Sequence, residues 1–325
     1  MGEQPGPLVS WWRRLFGGGS DGLDGTRGVE RTRGYPTSGN RASSMHLFWD
    51  LPGRFVEVAV TVTILDEPPT HDLYFWALQV SFEDAATGRR EGAAHTGPQW
   101  ASQHPGHGAV NWGGYGARGE LDGEPGWLPS AAGNANSIDY LWRVGVPYRL
   151  TVSRAPVSTG AADDGQAPGG YPDDWDGYRA GSKHLSGAAA PTGFTAWRAT
   201  ITPLEGSRDE LNELSEPQSQ QPQVIRDLWA PGDLLVSPMV WSEVFARCDA
   251  DSVRVAWAEP VGIDERGQEH RATSARVNYQ AVGDGGCTNT NVVTLVTPDG
   301  PAWVQTTNAE RTTPQGASLR LADSR

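Results

Sequence analysis

The sequence has little positive charge and almost no lysine. Its 325 residues carry a formal net charge of −13, and Lys183 is the single lysine among 26 basic residues. Because phosphate binding needs a positive face, this balance argues against a nucleic-acid partner and disfavours an anionic membrane surface. The surplus of arginine over acid in residues 1–44 is too small to change that conclusion.

Long hydrophobic runs are also missing. No stretch approaches the roughly 20 apolar residues that a membrane-spanning helix needs. Near the N-terminus, Trp11, Trp12, Leu15 and Phe16 are interrupted by arginines, so they do not form the apolar core of a signal peptide. We therefore predict no membrane span and a cytoplasmic location.

Cysteine is scarce, with Cys248 and Cys287 as the only two. In a cytosolic protein such a pair is expected to stay reduced, whereas in an oxidising compartment it would form a bridge. Neither cysteine has a second Cys or His at ligand spacing, which argues against zinc.

Helical periodicity is almost absent, with one weak segment at Arg208–Leu214, and strand patterns dominate. In Phe55–Leu65, apolar side chains alternate with polar ones, and Leu73–Phe82 repeats the pattern with bulkier residues. The connection DEPPTH between them is rich in turn residues. We predict a hairpin from these two strands.

Similar short runs recur to the end of the chain. We predict further strands at Ala109–Trp112, Tyr148–Arg154, Ala196–Leu204, Val224–Leu228, Leu234–Phe245, Val253–Trp257, Ala275–Val282, Val292–Val296 and Ala302–Thr306. Their spacing and turn residues favour an all-β, antiparallel β-sandwich of the jelly-roll kind.

The domain plan follows from the polar segments. Residues 1–44 are rich in Gly, Arg and Ser and are predicted to be a disordered arm. Residues 45–325 are predicted to form one β-sandwich domain, with loop insertions at about 156–192 and 205–223.

The motifs that carry chemistry are few. The sequence has no GxSxG and no GxxxxGK[ST]. The best lone acid is Glu243 in VWSEVF, for which Glu83 is a candidate partner. Since glycoside cleavage uses two carboxylates roughly 5–10 Å apart, a glycoside-active enzyme is the alternative reading.

Fourteen tryptophans need an explanation. Trp76 and Trp257 lie on apolar strand faces and are predicted core residues, whereas Trp100, Trp112, Trp127, Trp142 and Trp175 lie in or beside segments rich in Gly and Pro. Exposed aromatic rings offer large contact areas that suit sugars. We therefore predict a ligand site on the His95–Tyr115 loop and the strand around Trp241. Its residues are His95, Gln99, Trp100, Trp112, Tyr115, Trp241 and Glu243.

Two groups of residues carry side chains that bind metals, but neither group has the spacing of a known metal site. His95, His104 and His107 fall close together, but their spacing is not that of a strand metal site. The acids and amides Asp249, Asp251, Asp284, Asn289 and Asn291 would suit a structural Ca²⁺, yet they match no complete loop motif. No cofactor is expected.

Three segments resemble a known group. GAAHTGPQW…HPGHGAVNWGGYG, SPMVWSEVFARCDADSVRVAWAEP and VNYQAVGDGGCTNTN…TTNAERTTPQGASL are similar to an uncharacterised group of actinobacterial proteins. More distantly, the chain resembles concanavalin-like domains of the lectin and glucanase type. The resemblance implies a sandwich fold and no particular activity.

The leading hypothesis is a non-catalytic binding protein for a carbohydrate, in which Trp112→Ala weakens binding and leaves the fold intact. A glycoside-active enzyme and a protein–protein interaction module are the alternatives.

Overall fold

The computed structural model describes residues 30–124, 128–156, 190–204, 221–298 and 300–321. The predicted helix Arg208–Leu214, most of both predicted insertions, Trp127 and Trp175 lie outside these residues. No helix in the described ranges is long and apolar enough to cross a membrane.

Two antiparallel sheets contain nearly all of the described secondary structure. Sheet I has the strand order β17-β14-β1-β11-β3-β4-β5-β6, and β7 also pairs with β5. Its strands are β1 (Ser43–Trp49), β3 (Tyr74–Glu83), β4 (Arg90–Trp100), β5 (Gly108–Gly116), β6 (Gly119–Glu120), β7 (Ser137–Asp139), β11 (Leu234–Val244), β14 (Ser274–Tyr279) and β17 (Ser318–Arg320).

Sheet II has the order β10-β9-β8-β2-β12-β16-β15, and β13 pairs with β12. Its strands are β2 (Glu57–Ile64), β8 (Pro147–Arg154), β9 (Thr195–Pro203), β10 (Gln223–Ala230), β12 (Arg254–Ile263), β13 (Glu269–Arg271), β15 (Thr290–Thr297) and β16 (Gly300–Thr307). The predicted all-β sandwich is thus confirmed. Two short 3-10 turns, Pro105–His107 and Val282–Asp284, complete the assigned elements of the described residues.

The core lies between the two sheets and is built from the inward face of each strand. The core-facing residues predicted on β2 and β3 are confirmed, since Val60, Ile64, Leu78 and Phe82 are fully buried. The alternate positions are almost all buried too, so the expected half-buried strands are wrong. Trp76 and Trp257 are buried core residues, as predicted. Alternate side chains on the pleated strands therefore supply the apolar area that stabilises the sandwich.

The predicted hairpin of β2 and β3 is wrong. β2 pairs with β8 and β12 in sheet II, whereas β3 pairs with β4 and β11 in sheet I. The connection DEPPTH crosses from one sheet to the other, so the two strands face each other across the core instead of sharing hydrogen bonds.

The predicted loop from His95 to Tyr115 is also wrong. β4 and β5 form a regular antiparallel pair in which His95 lies opposite Gly113. Glycines occur in these strands because neighbouring backbones approach closely: a Cβ on Gly97 would lie 1.9 Å from the carbonyl oxygen of Trp76. A glycine-rich sequence is here the mark of a tightly packed strand.

Residues 30–44, which were included in the predicted disordered arm, belong to the folded part of the chain. Residues 30–42 form a segment, which we call the strap, that is hydrogen-bonded to the body. Thr32 exchanges backbone-to-hydroxyl bonds with Thr288, and Gly34 accepts the backbone N–H of Cys248. The prediction of disorder as far as residue 44 is therefore wrong for residues 30–44, while residues 1–29 lie outside the described part.

The two cysteines form a disulfide bridge between Cys248 and Cys287. The expectation of two reduced thiols is wrong. The bridge joins the segment that follows β11 to the segment that precedes β15, next to the strap.

Candidate functional site

The outer face of sheet I, turned away from the core, carries an unusual set of buried side chains. Phe75, Ala77, Met239 and Trp241 form an apolar cluster that is separate from the main core. Polar groups lie among these apolar ones on neighbouring strands. We define the outer-face cluster by six residues: His46 on β1, Phe75 and Gln79 on β3, His95 on β4, and Trp241 and Glu243 on β11.

The register of the strands brings these residues together. Trp241 of β11 lies opposite His46 on one side and opposite Ala77 on the other. Gln79 lies opposite His95. Because side chains two residues apart on a strand share a face, the cluster follows directly from the pairing of β1, β11, β3 and β4.

Trp241 is the centre of the cluster. Its ring centroid lies 4.9 Å from that of Phe75 and 5.4 Å from that of His95, both in edge-to-face geometry. Its indole N–H donates to Oε1 of Gln79 at 2.9 Å. The side chain is only 3% exposed. Trp241 is therefore a packed wall of the site with no ring face free for stacking.

Glu243 is the acid of the cluster and lies opposite Phe75 in the register. Desolvation raises the pKa of Glu243 from 4.5 to about 7, against an opposing effect of the hydrogen bond from Asn40. That bond runs from Nδ2 of Asn40 to Oε1 of Glu243 at 2.7 Å. No charged neighbour among the described residues contributes to the shift. The carboxyl group can therefore exist in both protonation states close to neutral pH.

Both histidines of the cluster are neutral at physiological pH. Desolvation lowers the pKa of His95 to about 4, and it does the same for His46, there partly offset by the backbone of Asn278. A neutral imidazole offers one donor and one acceptor. The face therefore lacks a cationic histidine for an anionic ligand.

Several buried polar atoms of this face make no hydrogen bond to any described residue. They are Nε2 of Gln79, Oγ of Ser81 and Oδ1 of Asn111. Unpaired buried polar groups cost about 1–3 kcal/mol each, so native proteins keep few of them. Other such atoms lie elsewhere in the described residues, for example Nε1 of Trp49 and Nε1 of Trp229, so they do not by themselves mark a site. On this face they supply both donors and acceptors that a ligand could pair.

The stability of this face predicts a pH dependence. The folded state keeps His46 and His95 neutral down to about pH 4, whereas the unfolded chain protonates them near 6.5. Stability is therefore lost as the pH falls from about 6.5 to about 4. Glu243 acts in the opposite direction, because its folded-state pKa is raised: its contribution is present below pH 4.5 and is lost as the pH rises to about 7.

With two histidines against one acid, we expect net destabilisation on acidification, measured as urea-unfolding midpoints between pH 4 and 8. His95→Gln should flatten this acid limb and Glu243→Gln should steepen it. An acid limb of equal slope in His95→Gln and in the wild type would show that His95 does not take up a proton on unfolding.

Five of the seven predicted ligand residues share the outer face, and two do not. His95, Gln99, Tyr115, Trp241 and Glu243 occupy outward positions of β4, β5 and β11. Trp112 points into the core, is 0% exposed and donates its indole N–H to the carbonyl oxygen of Trp197 in sheet II. Trp100 packs against the core and donates to the carbonyl oxygen of Thr70. Assigning Trp100 and Trp112 to a ligand surface is wrong.

The pairing of Glu243 with Glu83 is also wrong. Glu83 lies eight residues beyond Phe75 on β3, which corresponds to about 26 Å along the strand. Its carboxylate bonds Nε of Arg54 at 2.7 Å. This distance is far larger than the roughly 5–10 Å between the carboxylates of glycoside hydrolases.

Sequence reasoning missed His46, Phe75, Gln79 and Asn40. Phe75 and Gln79 alternate along β3 with the residues that the sequence predicts to face the core. Alternation alone therefore places them on the outer face of sheet I. His46 lies in SSMHLFW, a strand that was not predicted. Nothing in the local sequence links Asn40 to Glu243, because 203 residues separate them.

The structure does not bring the three histidines together into a metal site. Within the described ranges no group of three or more His, Cys, Asp or Glu side chains could hold a metal ion. His104 bonds Asp139 at 2.6 Å, His107 packs on Trp100, and His95 lies on the outer face.

The acidic and amide cluster near the cysteines has other partners. Asp249 pairs with Arg247, Asn289 donates to the carbonyl oxygen of Cys248, and Asn291 bonds Thr312. These groups therefore stabilise loops, and their contacts do not form a Ca²⁺ site.

Comparison with known proteins gives structural similarity only. No protein-family model and no curated protein matches the chain. A crystal structure of Scytalido-glutamic peptidase with a peptide-based transition-state analogue is 9% identical with a TM-score of 0.35, covering 86% of this chain and all of that one. The structure of SCP-B, a member of the eqolisin family of peptidases, in complex with the tripeptide Ala-Ile-His is 8% identical with a TM-score of 0.34 at the same coverage. At these values no residue role is transferred.

The prediction of a non-catalytic, carbohydrate-binding protein is wrong. It required exposed tryptophan faces, whereas Trp112 and Trp241 are buried and Trp100 packs against the core.

Proposed function

We propose that the protein is a hydrolase that cleaves an amide bond of a peptide at the outer face of sheet I, with Glu243 as its acid–base group. The observation that supports this is a half-buried carboxyl group, packed beside Phe75 and Trp241, whose pKa desolvation raises to about 7. Acid–base catalysis is most effective when the pKa of the group lies near the working pH.

A single carboxyl group suits amide hydrolysis. As a carboxylate, Glu243 takes a proton from a water molecule whose oxygen forms the new bond to the carbonyl carbon. When the carbon–nitrogen bond breaks, the same proton passes from Glu243 to the leaving nitrogen. Glycoside cleavage needs a second carboxylate, and the candidate Glu83 is about 26 Å away along the strand.

The unpaired polar atoms favour a peptide as the substrate. Nε2 of Gln79 is a donor and Oδ1 of Asn111 is an acceptor. A peptide backbone presents donors and acceptors in turn. Gln79 lies four residues along the paired strands from the level of Glu243, or about 13 Å, so an extended substrate of about four residues would reach both.

The disulfide bridge supports a location outside the reducing cytoplasm. Bridges form and persist in oxidising compartments. We propose that the protein folds and acts in such a compartment.

The test is cleavage of a quenched fluorescent peptide library by wild type and by Glu243→Gln, from pH 4 to 9. We expect the wild type to gain activity as Glu243 ionises around pH 7, and Glu243→Gln to lower kcat/KM by about 10²–10⁴-fold. Glu67→Gln, at an exposed position between β2 and β3, is the matched control and should be unchanged.

Two outcomes would refute the proposal. Absence of peptide cleavage by the wild type at every pH would eliminate amide hydrolysis. Equal cleavage by wild type and Glu243→Gln would remove Glu243 from the reaction.

A further inference from the structure

We infer that Asn40 is a positioning residue for Glu243 and that the strap, fastened beside the Cys248–Cys287 bridge, makes this contact dependent on the redox state of the bridge. The functional consequence of this inference rests on the proposed role of Glu243 as the acid–base group. The contact itself is independent of that role.

The amide of Asn40 is held in one orientation. Its Oδ1 accepts from the hydroxyl of Ser38 at 2.9 Å and from the backbone N–H of Ala42 at 3.2 Å. The single hydroxyl proton of Ser38 is shared between this oxygen and the carbonyl oxygen of Ala42, which lies 2.7 Å from Ser38 Oγ. With the oxygen engaged, the amino group of Asn40 points at Oε1 of Glu243, to which it donates at 2.7 Å. A turn built from strap residues thus fixes a donor on the carboxyl group.

The strap is fastened on both sides of the disulfide bridge. The backbone N–H of Cys248 donates to the carbonyl oxygen of Gly34 at 2.7 Å. Beside Cys287, Thr288 makes reciprocal bonds with Thr32 at 2.8 and 3.0 Å. The N–H of Cys287 itself donates to Ser43 Oγ, immediately after the strap.

Loss of the bridge is therefore expected to weaken the bonds of the strap to both cysteine-bearing segments. Because the bridge joins the two segments that hold the strap, its reduction frees them to separate. Asn40 then loses the support that keeps its amide beside Glu243.

The contact with Asn40 changes the pKa of Glu243 in one known direction. A donor on the carboxylate favours the charged form, so the Asn40 contact lowers the pKa of Glu243 against the larger effect of desolvation. The neighbours on adjacent strands are Ser44 on β1 and Phe75 on β3, neither of which titrates here. The ionisable groups further along the face are His46 and His95, both neutral above about pH 4, and the cationic Arg276 beyond Phe48.

The experiment follows Glu243 directly by ¹³C NMR of labelled glutamate carboxyl groups, titrated from pH 4 to 9. The Glu243 signal is assigned by its loss in Glu243→Gln. We expect Asn40→Ala to raise the pKa of Glu243 by about half to one pH unit, which is the value of one hydrogen bond. Asn40→Asp, which adds a like charge, should raise it further, and Asn134→Ala, in an exposed loop before β7, should leave it unchanged.

Reduction of the bridge supplies the second arm. Dithiothreitol should raise the pKa of Glu243 in the wild type and add little in Asn40→Ala. Equal shifts on reduction in both proteins would show that the bridge acts by another route. An unchanged pKa in Asn40→Ala, with the thermal midpoint and circular dichroism of the wild type, would overturn the positioning role.

This titration needs no turnover and so separates the two proposals. If Glu243→Gln retains peptide cleavage while Asn40→Ala shifts the carboxyl titration, then the proposed function fails and the positioning contact stands. If cleavage depends on Glu243 but Asn40→Ala leaves the pKa of Glu243 unchanged, the proposed function stands and the positioning role fails.

Discussion

Trp112→Ala is expected to destabilise the protein by about 3–5 kcal/mol, a large part of the roughly 5–15 kcal/mol by which an ordinary domain is stable. Trp112 is 0% exposed and lies between the two sheets. Its indole N–H donates to the carbonyl oxygen of Trp197 at 2.9 Å, and the indole of Trp197 donates in turn to Gly232 at 3.0 Å. Alanine leaves a cavity and removes the hydrogen bond to the carbonyl oxygen of Trp197. Urea unfolding followed by far-UV circular dichroism measures the effect without relying on tryptophan fluorescence.

Trp112→Phe is the matched control, since it keeps most of the buried ring and removes only the hydrogen bond. We expect it to cost about 1–3 kcal/mol, for the lost buried hydrogen bond together with a small packing loss. If Trp112→Ala instead has the urea midpoint of the wild type, the indole of Trp112 contributes nothing to stability. That result would contradict its assignment to the core.

Removal of the disulfide bridge is the second large effect. Replacing both Cys248 and Cys287 by serine opens a loop with a sequence separation of 39. The chain-entropy model gives a loss of about 4 kcal/mol for a loop of that length. The same loss should follow reduction of the wild type. The measurement is the urea midpoint with and without dithiothreitol.

The double serine variant is its own control, because dithiothreitol should not change its midpoint. A count of free thiols in the unfolded, unreduced wild type should give none. Two reactive thiols per chain would contradict the bridge, and so would a wild-type urea midpoint that dithiothreitol does not change. Either result would also remove the support for an oxidising compartment.

Strand alternation identified the core-facing side chains of β2 and β3, but it predicted neither the burial of their other face nor their partner strands. Val60 and Leu78 are both core residues, as the pattern indicated. A period of two reports a buried face and carries no information on the neighbouring strand. For that reason two consecutive strands were assigned to one hairpin, although they belong to opposite sheets.

The strand β4 was missed for a different reason. Its glycines and proline are turn residues by local preference, yet Gly97 is required where the backbone of β3 passes close by. His95 and Tyr115 therefore lie on a sheet instead of a loop. Tertiary packing overrode the local signal.

Much of the site could be found from the sequence, but its chemistry could not. Trp241 and Glu243 were identified from their own segment, and His95 from another. The raised pKa of Glu243 depends on desolvation by surrounding strands and on Asn40, which approaches from the strap. Such an environment is a property of the folded chain alone.

The position of β11 between β1 and β3 has a consequence for synthesis of the protein. About 150 residues separate the end of β3 from the start of β11, which corresponds to roughly 8–30 s at a translation rate of about 5–20 residues per second. Until then β1 and β3 cannot pair with their shared neighbour, and Glu243 does not yet exist in the nascent chain. The growing polypeptide is thus protected from its own proposed activity, while its open strand edges make it a natural client of chaperones.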